Sequence, residues 1–264
     1  MDLELKNKVV MVAASSKGLG FGIAKQAATE GAIVSIASRS RKNVQAAVEL
    51  IKQEVPGARI HGYTLDVADP GSIEVWTHNT LHELGTIDSL VVNGGGPSPG
   101  TFDELDDSQW LAGYENTLMS AVRMIRNVLP EMRRKKSGSI LTITSSSIKE
   151  PIDNLLLSNV YRAGVTSLVK SLSFQLASHQ IRINNLVPGL FDTDRLRELD
   201  LHNSGEWRIS LENVRKANFE KIPMGRYGDP EEFGKAAVFL LSGAASYVTG
   251  ETFIIDGGKM RTVW

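Results

Sequence analysis

"VVMVAASSKGLGFGIA", residues 9–24, is the stretch whose reading decides the fold. Val9 to Ala14 form an unbroken apolar run, the mark of a strand buried on both faces. A turn of small residues follows at once, and then a run with helical spacing. Gly18 and Gly20 lack a Cβ, so the backbone of this turn can approach a pyrophosphate closely. The free N–H groups of the following helix start, at the positive end of its dipole, suit phosphate oxygens. Strand, glycine-rich turn and helix in that order are the context a dinucleotide site requires. The alternative for such a turn by itself is a plain strand-to-helix connection. On the dinucleotide reading, Ser15, Ser16, Lys17, Gly18, Leu19 and Gly20 are the candidate phosphate-side contacts.

Six more short runs follow, at 33–38, 59–65, 89–94, 139–144, 181–187 and 252–257, most of them rich in Val and Ile. Helical patterns lie near 19–30, 41–55, 70–84, 107–135, 155–179 and 230–242. In the fifth of these, Leu156, Val160 and Leu168 are expected to line one packed stripe. Strand and helix in alternation predict an α/β doubly wound Rossmann fold, a seven-stranded parallel sheet flanked by helices. No linker-like composition divides residues 1–264, so a single domain is expected. Residues 190–229 are polar and lack a strand pattern; an insertion that long predicts a lid over the substrate. Within it, 207–220 has the pattern of an amphipathic helix, with Trp207 and Phe219 either touching substrate or packing in the core.

The composition narrows the function classes. The chain is 42% hydrophobic and 22% charged, with a net charge of −1, so no basic excess points to nucleic acid. "RRKKS" at 133–137 is the one basic cluster, and it reads as a solvated helix end. There is no cysteine, which removes disulfides, thiolate catalysis and cysteine metal sites and leads us to expect a reducing, cytoplasmic setting. The five histidines show no metal-ligand spacing, and no metal is expected. No run reaches the roughly 18 apolar residues of a membrane span, and no secretory signal pattern opens the chain.

The end of the second strand bears on the cofactor. An acid there would hydrogen-bond the adenosine ribose and favour NAD. "ASRSRK" has none; Arg39 stands at the strand end, and Lys17 lies in the glycine turn. Two cations suit a 2′-phosphate, so NADP(H) is expected and NAD is the less favoured cofactor. The plainer reading is two solvated surface cations.

With these residues in hand, the whole chain resembles the classical branch of the short-chain dehydrogenase/reductase family, which includes the 3-oxoacyl-carrier-protein reductases and glucose dehydrogenases. The family's Thr-Gly-x-x-x-Gly-x-Gly stands here as Ala13-Ala14-Ser15-Ser16-Lys17-Gly18-Leu19-Gly20, with Ala14 for the first glycine. "LDVAD" at 65–69 resembles the adenine-binding segment through Asp66 and Val67. The Asn-Asn-Ala-Gly of the fourth strand stands as Val92-Asn93-Gly94-Gly95. "VPGLFDT" at 187–193 resembles the loop cupping the nicotinamide, with Pro188, Gly189 and, in the carboxamide slot, Thr193. Residues 222–258 match the family's C-terminal segment almost position for position. The resemblance implies a small-molecule substrate and a homotetramer, or at least a dimer; the charge balance and hydropathy above argue for neither nucleic acid nor membrane as partner.

It also implies four catalytic slots, and here the chain departs. The family's serine is Ser145. Thirteen residues on, where a tyrosine donates the proton, stands Ser158, and four later, in the lysine slot, Arg162. Counted from Trp110, the asparagine slot falls on Thr117, with Asn116 one residue away. A phenol near pKa 10 is a usable acid beside a cation; a serine hydroxyl is a poor substitute, and a guanidinium keeps its proton. Arg162 can still bind the nicotinamide ribose and stabilise an alkoxide. Tyr161 is the tempting replacement acid, but it projects about 60° from Ser158 around the helix, and packing is its alternative role. Lys149 and Glu150 are two further proton sources near the expected substrate mouth. Two functions stay open. One is an NADP-dependent oxidoreductase for a small carbonyl or alcohol; the other is an NADP(H)-binding homologue without turnover, with a sensing or structural role.

Overall fold

In the computed structural model, which describes residues 2–263, strands and helices alternate from end to end. The order is β1 (Val9–Ala13), α1 (Gly18–Thr29), β2 (Ile33–Ser38), α2 (Arg41–Glu54), β3 (Arg59–Thr64), α3 (Pro70–Leu84) and β4 (Ser89–Val92). Then come α4 (Asp107–Gly113), a π-helical turn (Tyr114–Met119), α5 (Ser120–Lys135), β5 (Gly138–Ile143), a 3₁₀ turn (Ser146–Ile148) and α6 (Leu156–Leu176). The chain closes with β6 (Ile181–Pro188), α7 (Asp194–Trp207), α8 (Leu211–Glu220), α9 (Pro230–Leu241) and β7 (Thr252–Ile255).

The seven strands form one sheet in the order β3-β2-β1-β4-β5-β6-β7, every pair parallel. Every residue of β1 and β4 is buried, which is why their runs are apolar without alternation. One face is covered by α1, α2 and α9 through Ile23, Ala27, Val48 and Phe233, and the other by α3, α5 and α6 through Trp76, Met124, Val165 and Val169. Each such fully buried aliphatic or aromatic side chain contributes roughly 1.5–3 kcal/mol. The strand order reverses between β1 and β4, and a crevice opens there above the carboxyl ends of the strands.

Three expectations are corrected. The buried stripe of α6 runs through Leu157, Val165, Val169 and Leu176, while Val160 is exposed. A mixed apolar surface let two adjacent faces look equally good in sequence. The helix expected over 207–220 begins only at Leu211: Arg208, with φ 53, ends α7, and Ser210 caps α8 by accepting from the Asn213 N–H. The polar helix α7 before it carried no apolar period to read. "RRKKS" is not wholly solvated, since Lys135 pairs with Asp88 and donates to the Thr86 hydroxyl at 2.7 Å. Among the described residues, no helix is long and apolar enough to cross a membrane, and no cluster of three metal-ligating side chains exists.

Candidate active site

The glycine turn keeps its shape without its first glycine. Ala14 takes φ 46, left-handed backbone that costs an L-residue roughly 1–2 kcal/mol. Gly20 has no such freedom of identity: a Cβ there would lie 2.5 Å from the Ala14 carbonyl oxygen and 2.9 Å from the Asn93 amide nitrogen. That amide donates to the Ala13 and Ala14 carbonyls, each at 3.2 Å, and so ties the end of β4 to the turn. Helix α1 has no side-chain cap, which leaves its opening N–H groups for a ligand. Lys17 is exposed, and Ser16, Gly18 and Leu19 are half-buried along the same turn. Ser15 is corrected: it is fully buried, donates to the Val12 carbonyl at 2.6 Å and accepts from the Ala37 N–H at 3.1 Å, so its hydroxyl braces β1 against β2.

At the end of β2, Arg39 is exposed, and among the described residues neither Arg39 nor Lys17 has an acidic partner. The adjoining Ser38 hydroxyl is buried with no hydrogen-bond partner. Sequence reasoning missed it, because a serine among serines gives no signal until its surroundings are known. Asp66 is exposed and folds its carboxylate onto the Ala68 N–H at 3.0 Å, while Val67 packs beside the core.

The catalytic slots gather at the ends of β5 and α6. Ser145 opens the 3₁₀ turn, its hydroxyl accepting from the Ser147 N–H at 3.1 Å. Ser147 and Ser158 are both buried, and their hydroxyls meet at 3.4 Å. Ser147 was not anticipated. Arg162 donates from Nη1 to the Ile143 and Thr144 carbonyls at 3.0 and 3.2 Å. Burial, with the like charge of Arg195 added, pushes its guanidinium down to about 10; it is still a cation at neutral pH. A cavity of about 20 Å³, room for one water, lies beside it, lined by Asn93, Gly94, Gly95, Asn116, Thr117 and Arg162.

The asparagine slot lies on the π-helical turn, which holds more residues per turn than an α-helix. Asn116 and Thr117 both line the cavity. The Asn116 amide donates to the Ala112 carbonyl at 2.9 Å, and the Thr117 hydroxyl is buried with no partner.

Tyr161 stands apart from these slots. Its hydroxyl donates to the Trp110 carbonyl at 2.9 Å, its ring meets Trp110 edge-on at 5.8 Å, and burial raises its pKa further, with Tyr114 adding to the shift. Lys149 and Glu150 are exposed. Above the crevice, Pro188 and Gly189 lead from β6 to Thr193, which caps α7 and whose methyl lies 3.6 Å from the place of a Cβ on Gly18. The segment carrying α7 and α8 is pinned from below: the buried Asp200 carboxylate accepts from the Tyr227 hydroxyl at 2.9 Å and from the Asn218 amide at 3.1 Å. Phe219 stacks edge-on against Tyr227 at 4.9 Å and is a packing residue, whereas Trp207 is half exposed.

Residues 13–259 match the family model described as enoyl-(acyl carrier protein) reductase. The 3-oxoacyl-(acyl-carrier-protein) reductase of Chlamydia trachomatis is 31% identical over 254 residues, covering 96% of this chain and 98% of that one. The L-sorbose reductase of Gluconobacter frateurii, solved with NADPH and L-sorbose, superposes with a TM-score of 0.95 at 28% identity over 100% of both chains. The NADPH-bound short-chain oxidoreductase of Pseudomonas aeruginosa PAO1, described as containing an atypical catalytic centre, superposes with a TM-score of 0.88 at 28% identity, covering 98% of this chain and 99% of that one.

Proposed function

The chain belongs to the short-chain dehydrogenase/reductase family, and from that premise we propose that it is an NADP(H)-dependent oxidoreductase interconverting a small carbonyl and its alcohol without a tyrosine acid. The observation that carries the cofactor is the end of β2: the buried, partnerless Ser38 hydroxyl beside Arg39, with no acid at the strand end. A 2′-phosphate offers that hydroxyl an acceptor and gives Arg39 a charge partner. The uncapped start of α1, with its free N–H groups, fits the diphosphate. The L-sorbose reductase and the Pseudomonas oxidoreductase, both solved with NADPH, support the same choice.

The bound cofactor supplies the hydride. Ser145 donates a hydrogen bond to the substrate carbonyl, and Arg162, held by two main-chain carbonyls, supplies positive charge where an alkoxide develops. The alkoxide takes its proton from solvent water, since the Ser147 and Ser158 hydroxyls offer no stronger acid. Dispensing with a phenol as general acid slows the step by about 10²- to 10⁴-fold. The segment over 190–229 serves as the substrate lid. Family membership, with the exposed apolar residues Leu111, Val160 and Phe174 on α4 and α6, supports a homotetramer, read by sizing chromatography.

Fluorescence titration tests the cofactor. The Ser38→Ala, Arg39→Gln variant is expected to bind NADPH about 10- to 100-fold more weakly, about 1.5–3 kcal/mol, with NADH binding unchanged. Equal native affinities for the two cofactors overturn the assignment. Turnover is read as NADPH oxidation over a panel of carbonyl compounds. Slow native reduction, accelerated in Ser158→Tyr, Arg162→Lys, is expected; no oxidation by either protein leaves a cofactor-binding protein.

A further inference from the structure

The arginines around the lid fall into two groups. Arg197 and Arg215 both pair with Asp192, and Arg226 pairs with Glu232. Arg195 and Arg162 have no acidic partner among the described residues, yet they lie close enough for the charge of Arg195 to disfavour that of Arg162. No aspartate or glutamate lines the cavity that Arg162 borders. Arg195 reaches from the first turn of α7 to the loop after β4. A Cβ on Gly96 would lie 2.8 Å from its Nη2 and 3.1 Å from its Nη1, so the guanidinium rests where only a glycine leaves room. The same turn of α7 begins over Gly18, through Thr193. Arg162 borders a cavity lined by Gly94 and Gly95, and Arg195 lies against Gly96 of the same loop, so two cations without an acidic partner among the described residues face one loop, and an anion between them removes their repulsion.

We propose that Arg195 and Arg162 together hold an oxyanion against the Gly94–Gly96 loop. The reading rests on the cofactor assignment above for the identity of the cleft. Two sources carry this chemistry, the carboxylate of an oxo-acid substrate and the diphosphate of the cofactor. Either is a planar or tetrahedral oxygen acceptor that two guanidinium forks recognise. Glycine at 96 leaves the loop without the side chain that would hold the guanidinium off.

The test is calorimetric and needs no turnover. NADPH is titrated into the free protein, and oxalate, as the carboxylate probe, into both the free and the NADPH-loaded protein. Arg195→Gln is compared with Arg197→Gln, whose arginine is already paired with Asp192. A tenfold or greater loss in the NADPH arm, in Arg195→Gln alone, assigns the anion to the cofactor diphosphate. The same loss in the oxalate arm assigns it to a substrate carboxylate and makes oxo acids the substrate class. Gly96→Ala is expected to reproduce whichever loss is seen. Losses below tenfold in both arms, or equal losses in Arg197→Gln, overturn the proposal. A native protein that binds oxalate but not NADPH refutes the cofactor reading and leaves this one standing.

Discussion

The phosphate end and the catalytic end of the cleft depart from the same family pattern with different consequences. At the phosphate end, Ala14 replaces a glycine, and the backbone still turns through φ 46. On the proposed function main-chain N–H groups do the binding there, so a changed side chain matters only through its steric strain. At the catalytic end the helix register is unbroken, and Ser158 still faces the serine run through its 3.4 Å contact with Ser147. There the side chain is the chemistry, so an intact backbone preserves nothing of a phenol's acidity. Recognition by backbone tolerates substitution at a modest energetic cost; proton transfer by a side chain does not.

The sharpest way to break the contrast is to give the phosphate end a side chain that cannot be absorbed. Gly20→Val places branched carbon where a Cβ alone would lie 2.5 Å from the Ala14 oxygen. It is expected to abolish NADPH binding in a fluorescence titration and to lower stability by about 3 kcal/mol in denaturant melts. A variant that still binds NADPH normally shows that the turn can move and that shape is not what it conserves.

Tyr161→Phe probes the other end with a smaller effect. Losing the 2.9 Å bond to the Trp110 carbonyl is expected to lower stability by about 1 kcal/mol and to leave turnover untouched. Stability follows from urea melts and turnover from NADPH oxidation. Abolished turnover in an otherwise folded variant moves the acid to Tyr161.

Ala14→Gly is the gentlest case. Relief of left-handed strain at φ 46, less the extra unfolded-state freedom of glycine, is expected to stabilise by about 0.5–1 kcal/mol. Cofactor affinity stays the same, because the N–H groups already occupy their positions. Destabilisation instead shows that the alanine methyl makes a contact worth more than the strain.

How far the sequence could be read follows the same division. Strand bounds agree with the short runs to within a residue or two, and most clearly for β1 and β4, which are buried along their whole length. The helix over 107–135 was legible as a helix, but its π-helical turn was not, because one extra residue in a turn leaves no mark on composition. Ser38, Ser147 and Arg195 were illegible for another reason. Each matters through neighbours far along the chain or through the absence of a partner, and neither is a local property.

The sequence by itself determined the parallel sheet, the glycine turn between β1 and α1, and the identities of Ser158 and Arg162. All of these are local patterns or single identities. Only the tertiary structure decided that Ser15 braces two strands, that the Tyr161 hydroxyl is bonded to the Trp110 carbonyl, and that Arg195 lies against the loop whose Gly94 and Gly95 line the Arg162 cavity. A side chain's role depends on which polar atoms are left to meet it after folding, and those are brought together by the order of strands in the sheet rather than by their order along the chain.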